Sequence, residues 1–439
     1  MDGRQGSIGT FGALSIGVGG IVGGGFFATF GITAAGAAGG TPIAFLLGGF
    51  IALLTAWSYV GLTLRYPGPG GTVSFITAAF GRGYFAASVN VLLILSYVAI
   101  MAVYATALAG YTLPYLPDAL KPSGGHLISS AALIVLGMVN FVGPGLVQAS
   151  ESAFNAGKLL VLAVFIVAGL LAPGIDWSRL APEAWATPMA IVASGMIGFL
   201  AYEGFELIAN ASGNIANPRR TLPIAFLGSV AIAVIIYVLA FVVGLGHLPL
   251  ADLIAAKNFG ISAAAQSFLG PFGFGLMAVG AVLASASAIT ADYFGATRLP
   301  PQLQKIDELP SALHRGLKRR ASRSLAIIAV LALLAVNLAP IEAMSSATSG
   351  GFLLVFAAVN AAAFRLAPET GAGRAVPGAA TLLCVAALAV TVWQFLSVPA
   401  TASQAGAIAI ILAAAIAVEA ISRWLERRYG TGGDAPDVR

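Results

Sequence analysis

Three ionisable side chains stand in stretches otherwise too apolar to hold them. Lys158 lies in FNAGKLLVLAVFIVAGL; Glu203 and Glu206 lie in GMIGFLAYEGFELIANASG. A charge at the centre of a bilayer costs ~2.5–3.5 kcal/mol on insertion scales, so such groups face a protein interior and bind, pair or carry protons. A desolvated amine can gain and lose its proton within a working cycle. Protonated, Lys158 can donate to carbonyls of the first apolar stretch and to a hydroxyl of ASASAIT at 284–290; deprotonated, it releases them. That would do the work of a bound sodium ion without sodium. The plainer alternative is a lysine that snorkels to the membrane surface. Glu203 and Glu206 are three apart and can pair with a substrate ammonium, carry a proton, or bond to neighbouring helix ends.

Other chemistries lack their residues. Cys384 is the single cysteine, which excludes a disulfide framework and a thiolate metal cluster. His126, His247 and His314 are scattered at expected loops and helix ends, without metal-site spacing, and read as solvated. There is no HExxH helix, no Ser–His arrangement and no P-loop, so neither a membrane enzyme nor ATP-driven work is expected. No metal and no cofactor is expected, a proton being the coupling ion.

The elements that position these groups begin at GVGGIVGGGFFATFG, residues 17–31, where seven of fifteen residues are glycine. Glycine costs about 1 kcal/mol against alanine inside a helix. Clustered glycines weaken a helix at mid-span, and open backbone at that depth is tolerated only where protein or a water-filled cavity satisfies it. A second irregularity, at 195–213, lies five spans later. Paired interruptions in corresponding halves point to a transporter's binding site. An unwound helix exposes N–H groups that suit an anion and carbonyls that suit an ammonium, and a zwitterionic amino acid carries both charges. Close helix packing through small residues is the alternative for the first stretch.

Of 439 residues, 59% are hydrophobic and 9% charged, and the mean hydropathy is +0.93. Soluble domains carry about 25% charged residues, so the chain is expected to be an all-α integral membrane protein. Hydropathy places twelve spans near 8–36, 42–64, 84–112, 127–143, 147–172, 184–212, 222–246, 272–298, 324–340, 343–365, 376–397 and 403–424. With the N-terminus cytoplasmic, 18 of the 22 basic residues fall inside; Lys121, Arg179 and Lys257 fall outside and Lys158 within a span. The net charge of +5 is thus a topology signal, not a nucleic-acid patch, and both termini are expected in the cytoplasm. One transmembrane unit covers 1–439: a five-helix repeat at 8–172, an inverted second at 184–365, two accessory helices at 376–424 and a tail at 425–439. Glu151, at the start of the fifth span, reads as structural.

GVGGIVGGGFF, the PGPGG turn at 67–71 and AYEGFELIANASGNIANPRRTLPIA, in this order, resemble the APC (amino acid–polyamine–organocation) superfamily over about residues 8–425. The resemblance is closest to the proton-coupled, broad-specificity amino acid transporters of bacteria and archaea, which carry a lysine in span five as Lys158 does. It implies a LeuT-type five-plus-five inverted repeat, with spans one and six broken, working by alternating access in the cell membrane. It places the triad Gly23, Gly24 and Gly25 at the substrate, Gly24 and Gly25 offering amides to its carboxylate. The carbonyls of Ile21, Leu200 and Ala201 would accept from its amine. Carbonyls of Gly19 and Val22, with Ser287 or Ser285, would face the Lys158 ammonium. Tyr202 and Leu200 are candidate gates, and Ser96 or Tyr97 would line the pocket. Glu203 would border the pocket, while Glu206 would support the gating structure or the proton path. The implied partners are a small amino acid and membrane lipid, without nucleic acid or an obligatory protein. An exchanger or a carrier of cationic amino acids or polyamines remains the alternative, and an acid at Glu203 keeps cationic substrates open. A channel is disfavoured, since it would want a continuous polar pore.

Overall fold

The computed structural model describes residues 6–142, 144–256, 259–305 and 321–429, without the side chains of 144–152, 298–305, 321–323 and 425–429. Lys257, His314, the Glu151 side chain and most of the 298–323 loop therefore lie outside the described residues.

Every long apolar stretch is a helix, and there is no β-strand among the described residues. Among the described residues ten helices are long and apolar enough to cross a membrane, and one bent pair, counted as a single span by length and composition, makes up to eleven. That pair is α1 (Thr10–Ile21) and α2 (Gly24–Ala37), bent by 44° at their junction. Next come α3 (Thr41–Arg65), a short α4 (Gly71–Phe80), α5 (Tyr84–Thr112), α6 (Lys121–Val142) and α7 (Pro144–Leu171). The sixth span consists of α8 (Pro188–Gly198), a 3-10 turn over Phe199–Tyr202, and α9 (Leu207–Ala211). It starts at Pro188 rather than 184, because Thr187 caps the helix by accepting the Ala190 N–H at 3.3 Å.

The chain continues through α10 (Pro218–His247), α11 (Leu250–Ala255) and α12 (Gly260–Lys305), the last broken at Gly270, where φ is +65°. It ends with α13 (Ala321–Leu338), α14 (Ile341–Arg365), α15 (Ala367–Thr370), α16 (Ala375–Ser397) and α17 (Ala402–Tyr429). The expected ninth span is α13, whose described part runs over Ala321–Leu338. Helices α4 and α11 were not expected from hydropathy; both are too short to carry a spanning signal.

Phe50, Trp57, Leu160, Leu171, Leu382, Trp393 and Ile410 are exposed on helix faces. Helices buried on one side and apolar on the other are what a lipid surround demands. The loop between α7 and α8 is tied to the end of α10, where the Asp176 N–H and the Arg179 guanidinium both donate to Gly246 O, at 3.0 and 3.2 Å. Within it, the Ser178 hydroxyl and N–H, with Arg179, hold the Asp176 carboxyl below the usual carboxylate range. His247 is not simply solvated: its Nε2 lies 2.8 Å from Gly169 O and its ring packs 4.7 Å from that of Phe268.

The two interrupted spans run antiparallel and are joined at both ends. Ile8, just before α1, bridges to the end of the sixth span: its N–H donates to Asn214 O and its carbonyl accepts from Ala216, at 3.0 and 2.9 Å. The end of α2 meets the residues preceding α8, with Gly39 N–H donating to Ala184 O at 3.0 Å and Ala186 N–H to Ala37 O at 3.3 Å. Such pairing forces the two interruptions to the same depth.

Candidate functional site

At the first interruption, Val22 adopts φ −75°, ψ 63° and the Gly23 N–H turns back onto Ile21 O at 2.7 Å. This is an inverse γ-turn. It ends α1 and starts α2 afresh, leaving the first amides of α2, at Gly24 and Gly25, without an intrahelical acceptor. At the second, Glu203 is extended (φ −63°, ψ 151°) and Gly204 has φ +112°. The carbonyls before that break, those of Leu200 to Tyr202, belong to the 3-10 turn.

The two breaks touch. A Cβ built on Gly204 would sit 2.6 Å from Gly20 O and 2.9 Å from its Cα, so backbone crosses backbone with no room for a side chain. Gly25 is equally confined: its Cβ would meet Leu200 Cδ1 at 2.6 Å and Ala201 Cα at 3.2 Å. The glycines are therefore steric requirements of the crossing. Tyr237 of α10 locks it, its buried hydroxyl lying 2.8 Å from Ile21 O and 2.9 Å from Ala201 O. Those are two of the carbonyls expected to receive a substrate amine.

Lys158 is fully buried on α7 and does not reach the surface. Its ammonium donates to Gly19 O at 2.6 Å and to Ser287 Oγ of α12 at 3.3 Å. The Ser287 hydroxyl is also 3.4 Å from Asn155 Oδ1, one helical turn before the lysine. Of the two serines expected here, Ser287 is thus at the amine, while Ser285, two residues earlier and so on another side of α12, lies beside Gly24. The Ser285 hydroxyl is buried and has no hydrogen-bond partner among the described residues.

The α5 residues are distributed differently from the expectation. The Ser96 hydroxyl donates to Leu92 O in its own helix at 2.8 Å and packs against Gly351 of α14. Tyr97 donates to Glu206 Oε1 at 3.0 Å. Tyr104, two turns further on, is the side chain that reaches the amide end of α2: a Cβ on Gly24 would lie 2.9 Å from its ring. The Tyr104 hydroxyl is 3.5 Å from Glu203 Oε2. Tyr202 is buried and donates to Phe45 O of α3 at 2.8 Å.

Tyr104, Tyr237, Asn155 and Asp292 escaped the sequence reading. Asp292 carried a usable signal, being an acid within the apolar run of α12 and only 3% exposed. The tyrosines carried none, since an aromatic in an apolar helix looks like packing.

A cavity of about 890 Å³ opens on the N-terminal side of the crossing. Phe11, Ile16, Gly19, Asn155, Leu159 and Ser287 are among its lining, so it leads from the surface to the partners of the Lys158 ammonium. Among the described residues no group of acids, histidines and cysteines could hold a metal ion.

Apolar spans, a crossed pair of broken helices and an ionisable centre define a multi-span membrane transporter rather than an enzyme. The family model for amino acid permeases matches residues 8–418, and the chain belongs to that family. A protein of Methanocaldococcus jannaschii is 32% identical over 82% of this chain and 82% of its own. The inner membrane transport protein YbaT of Escherichia coli is 29% identical over 82% of this chain and 83% of its own. A glutamate/serine transporter of Bacillus subtilis, AimA, is 28% identical over 61% of this chain and 56% of its own.

Proposed function

We propose that the protein is a proton-coupled secondary transporter of amino acids in the cell membrane, with both termini in the cytoplasm. It works by alternating access in a twelve-span, five-plus-five inverted repeat with two accessory helices. The antiparallel joining of the two broken spans at both ends supports the inverted repeat, as does their crossing at Gly20 and Gly204. The observation that carries the functional reading is the juxtaposition, at one depth, of the free amides of Gly24 and Gly25 with the carbonyls of Ile21 and Ala201.

The substrate carboxylate takes the Gly24 and Gly25 amides, where the α2 dipole is positive. Its ammonium takes the carbonyls of Ile21, Leu200 and Ala201, displacing the Tyr237 hydroxyl. Lys158 couples this to protons: charged, it ties Gly19 and Ser287 together and closes the cavity side, and neutral, it lets α1 move. With an ammonium in that place, no sodium site is needed. The glutamate/serine transporter of Bacillus subtilis fits an amino acid substrate.

The test is competition for uptake into proteoliposomes by the common amino acids and several polyamines, at two pH values, with and without sodium. Competition by zwitterionic amino acids, indifferent to sodium, is expected. Competition by polyamines alone, or a strict sodium requirement, would overturn the reading.

A further inference from the structure

Ser285 is fully buried on α12, yet its hydroxyl has no hydrogen-bond partner among the described residues. A hydroxyl taken out of water without a partner costs stability. Its neighbours on the same helix are satisfied: Ser287 meets the Lys158 ammonium at 3.3 Å, and Thr290 donates back to Ala286 O at 2.8 Å. Packing sets where Ser285 points. A Cβ built on Gly24 would fall 2.7 Å from the Ser285 hydroxyl oxygen, 2.9 Å from its Cα and 2.9 Å from the Tyr104 ring. Ala288, three residues on and so on the same face of α12, has its Cβ 3.0 Å from the place a Cβ on Gly23 would take. That face of α12 therefore lies on the first turn of α2. It brings an unpartnered hydroxyl to the helix end whose amides lack an intrahelical acceptor. The space that a side chain on residue 24 would fill holds the hydroxyl of Ser285 instead.

We propose that Ser285 is a ligand of the substrate carboxylate, its hydroxyl donating to the group that the Gly24 and Gly25 amides hold. The proposal rests on the placement of that carboxylate under the proposed function and adds the one side-chain donor to it. Two amides leave acceptor sites open, since the two oxygens of a carboxylate offer about four. A hydroxyl donating to a carboxylate makes a charge-assisted bond, stronger than one between neutral groups. Two serines two residues apart on α12 thus divide the work, Ser287 answering to the lysine and Ser285 to the substrate.

The experiment is thermal unfolding of the full chain in detergent, wild type and Ser285→Ala, titrated with L-alanine, L-serine, L-leucine and the carboxamide of each. A bound ligand raises the melting temperature, and the dose dependence of the rise gives its affinity. Without ligand, Ser285→Ala should melt no lower than wild type, because the hydroxyl it loses has no partner there. With amino acid, its affinity should fall at least about tenfold, the loss of a hydrogen bond to a charged group. The fall should be smaller for the carboxamides, which carry no charge at that position. A lower melting temperature without ligand, or failure to fold, would show that the hydroxyl already bonds within the empty protein and would overturn the proposal. Equal losses for acid and carboxamide would overturn it too, by placing the contact elsewhere on the ligand. If wild type responds to amino acids and Ser285→Ala responds with the same affinity, the serine assignment alone falls. If wild type responds to none of them, the amino acid reading falls and takes this proposal with it.

Discussion

Gly204 shows how a single missing side chain determines this site. Its φ of +112° lies where side-chain-bearing residues are strained, and the space a Cβ would need is filled by the Gly20 backbone. Backbone strain of this kind costs of order 1–3 kcal/mol, and forcing an extra carbon into a packed interior costs typically ~1–3 kcal/mol more. Gly204→Ala should therefore melt several degrees lower than wild type in detergent, as read by intrinsic fluorescence. Gly373→Ala, with nothing within 4 Å of its Cβ position, should not change the melting curve. Equal melting of the two variants would contradict the crossing. The glycine cluster was legible because glycine has no reason to be inside a helix unless backbone must come close. Lys158 was legible for the matching reason that an apolar span has no use for an amine. Which of Ser285 and Ser287 meets it was not, since both lie in one short stretch and only the packing of α12 against α7 selects between them.

Among the elements, the decisive one is α10, whose apolar run around Tyr237 gave no warning of its role. Its Tyr237 hydroxyl holds Ile21 O and Ala201 O together, and its ring stacks on Phe26 of α2 with centroids 4.4 Å apart. A hydroxyl on an apolar helix has no partner legible in sequence, because that partner comes from chain 216 and 36 residues away. Tyr237→Phe keeps the ring and leaves two buried carbonyls poorer by one donor. An unsatisfied buried group costs about 1–3 kcal/mol, so the variant should lose stability of that order in chemical or thermal unfolding. An unchanged midpoint would mean that the hydroxyl does not tie the two breaks. Where α4 and α11 went unforeseen, the cause was length: a stretch of ten residues or fewer lacks the apolar run on which span reading relies.

Over the whole molecule, the asymmetry of basic residues predicts orientation as well as class. The turn before α6 should face outward and the turn before α16 inward. In a variant with Cys384 replaced, Asp118→Cys should react with an impermeant maleimide on intact cells, and Gly373→Cys only after permeabilisation. The reverse pattern would invert the assigned topology. The class of protein and its helical framework could be drawn from hydropathy, because a bilayer imposes length and polarity on every span. The antiparallel joining of the broken spans could not, because it rests on backbone hydrogen bonds between residues 145 to 208 positions apart.

The central claim is that Lys158, buried against Gly19 and Ser287, converts a proton gradient into movement of α1. Uptake of a neutral amino acid into proteoliposomes, driven by an inward proton gradient in sodium-free buffer, measures this directly for wild type and Lys158→Ala. The account predicts gradient-driven accumulation by the wild type and none by the variant. Accumulation by Lys158→Ala that still follows the gradient would contradict it.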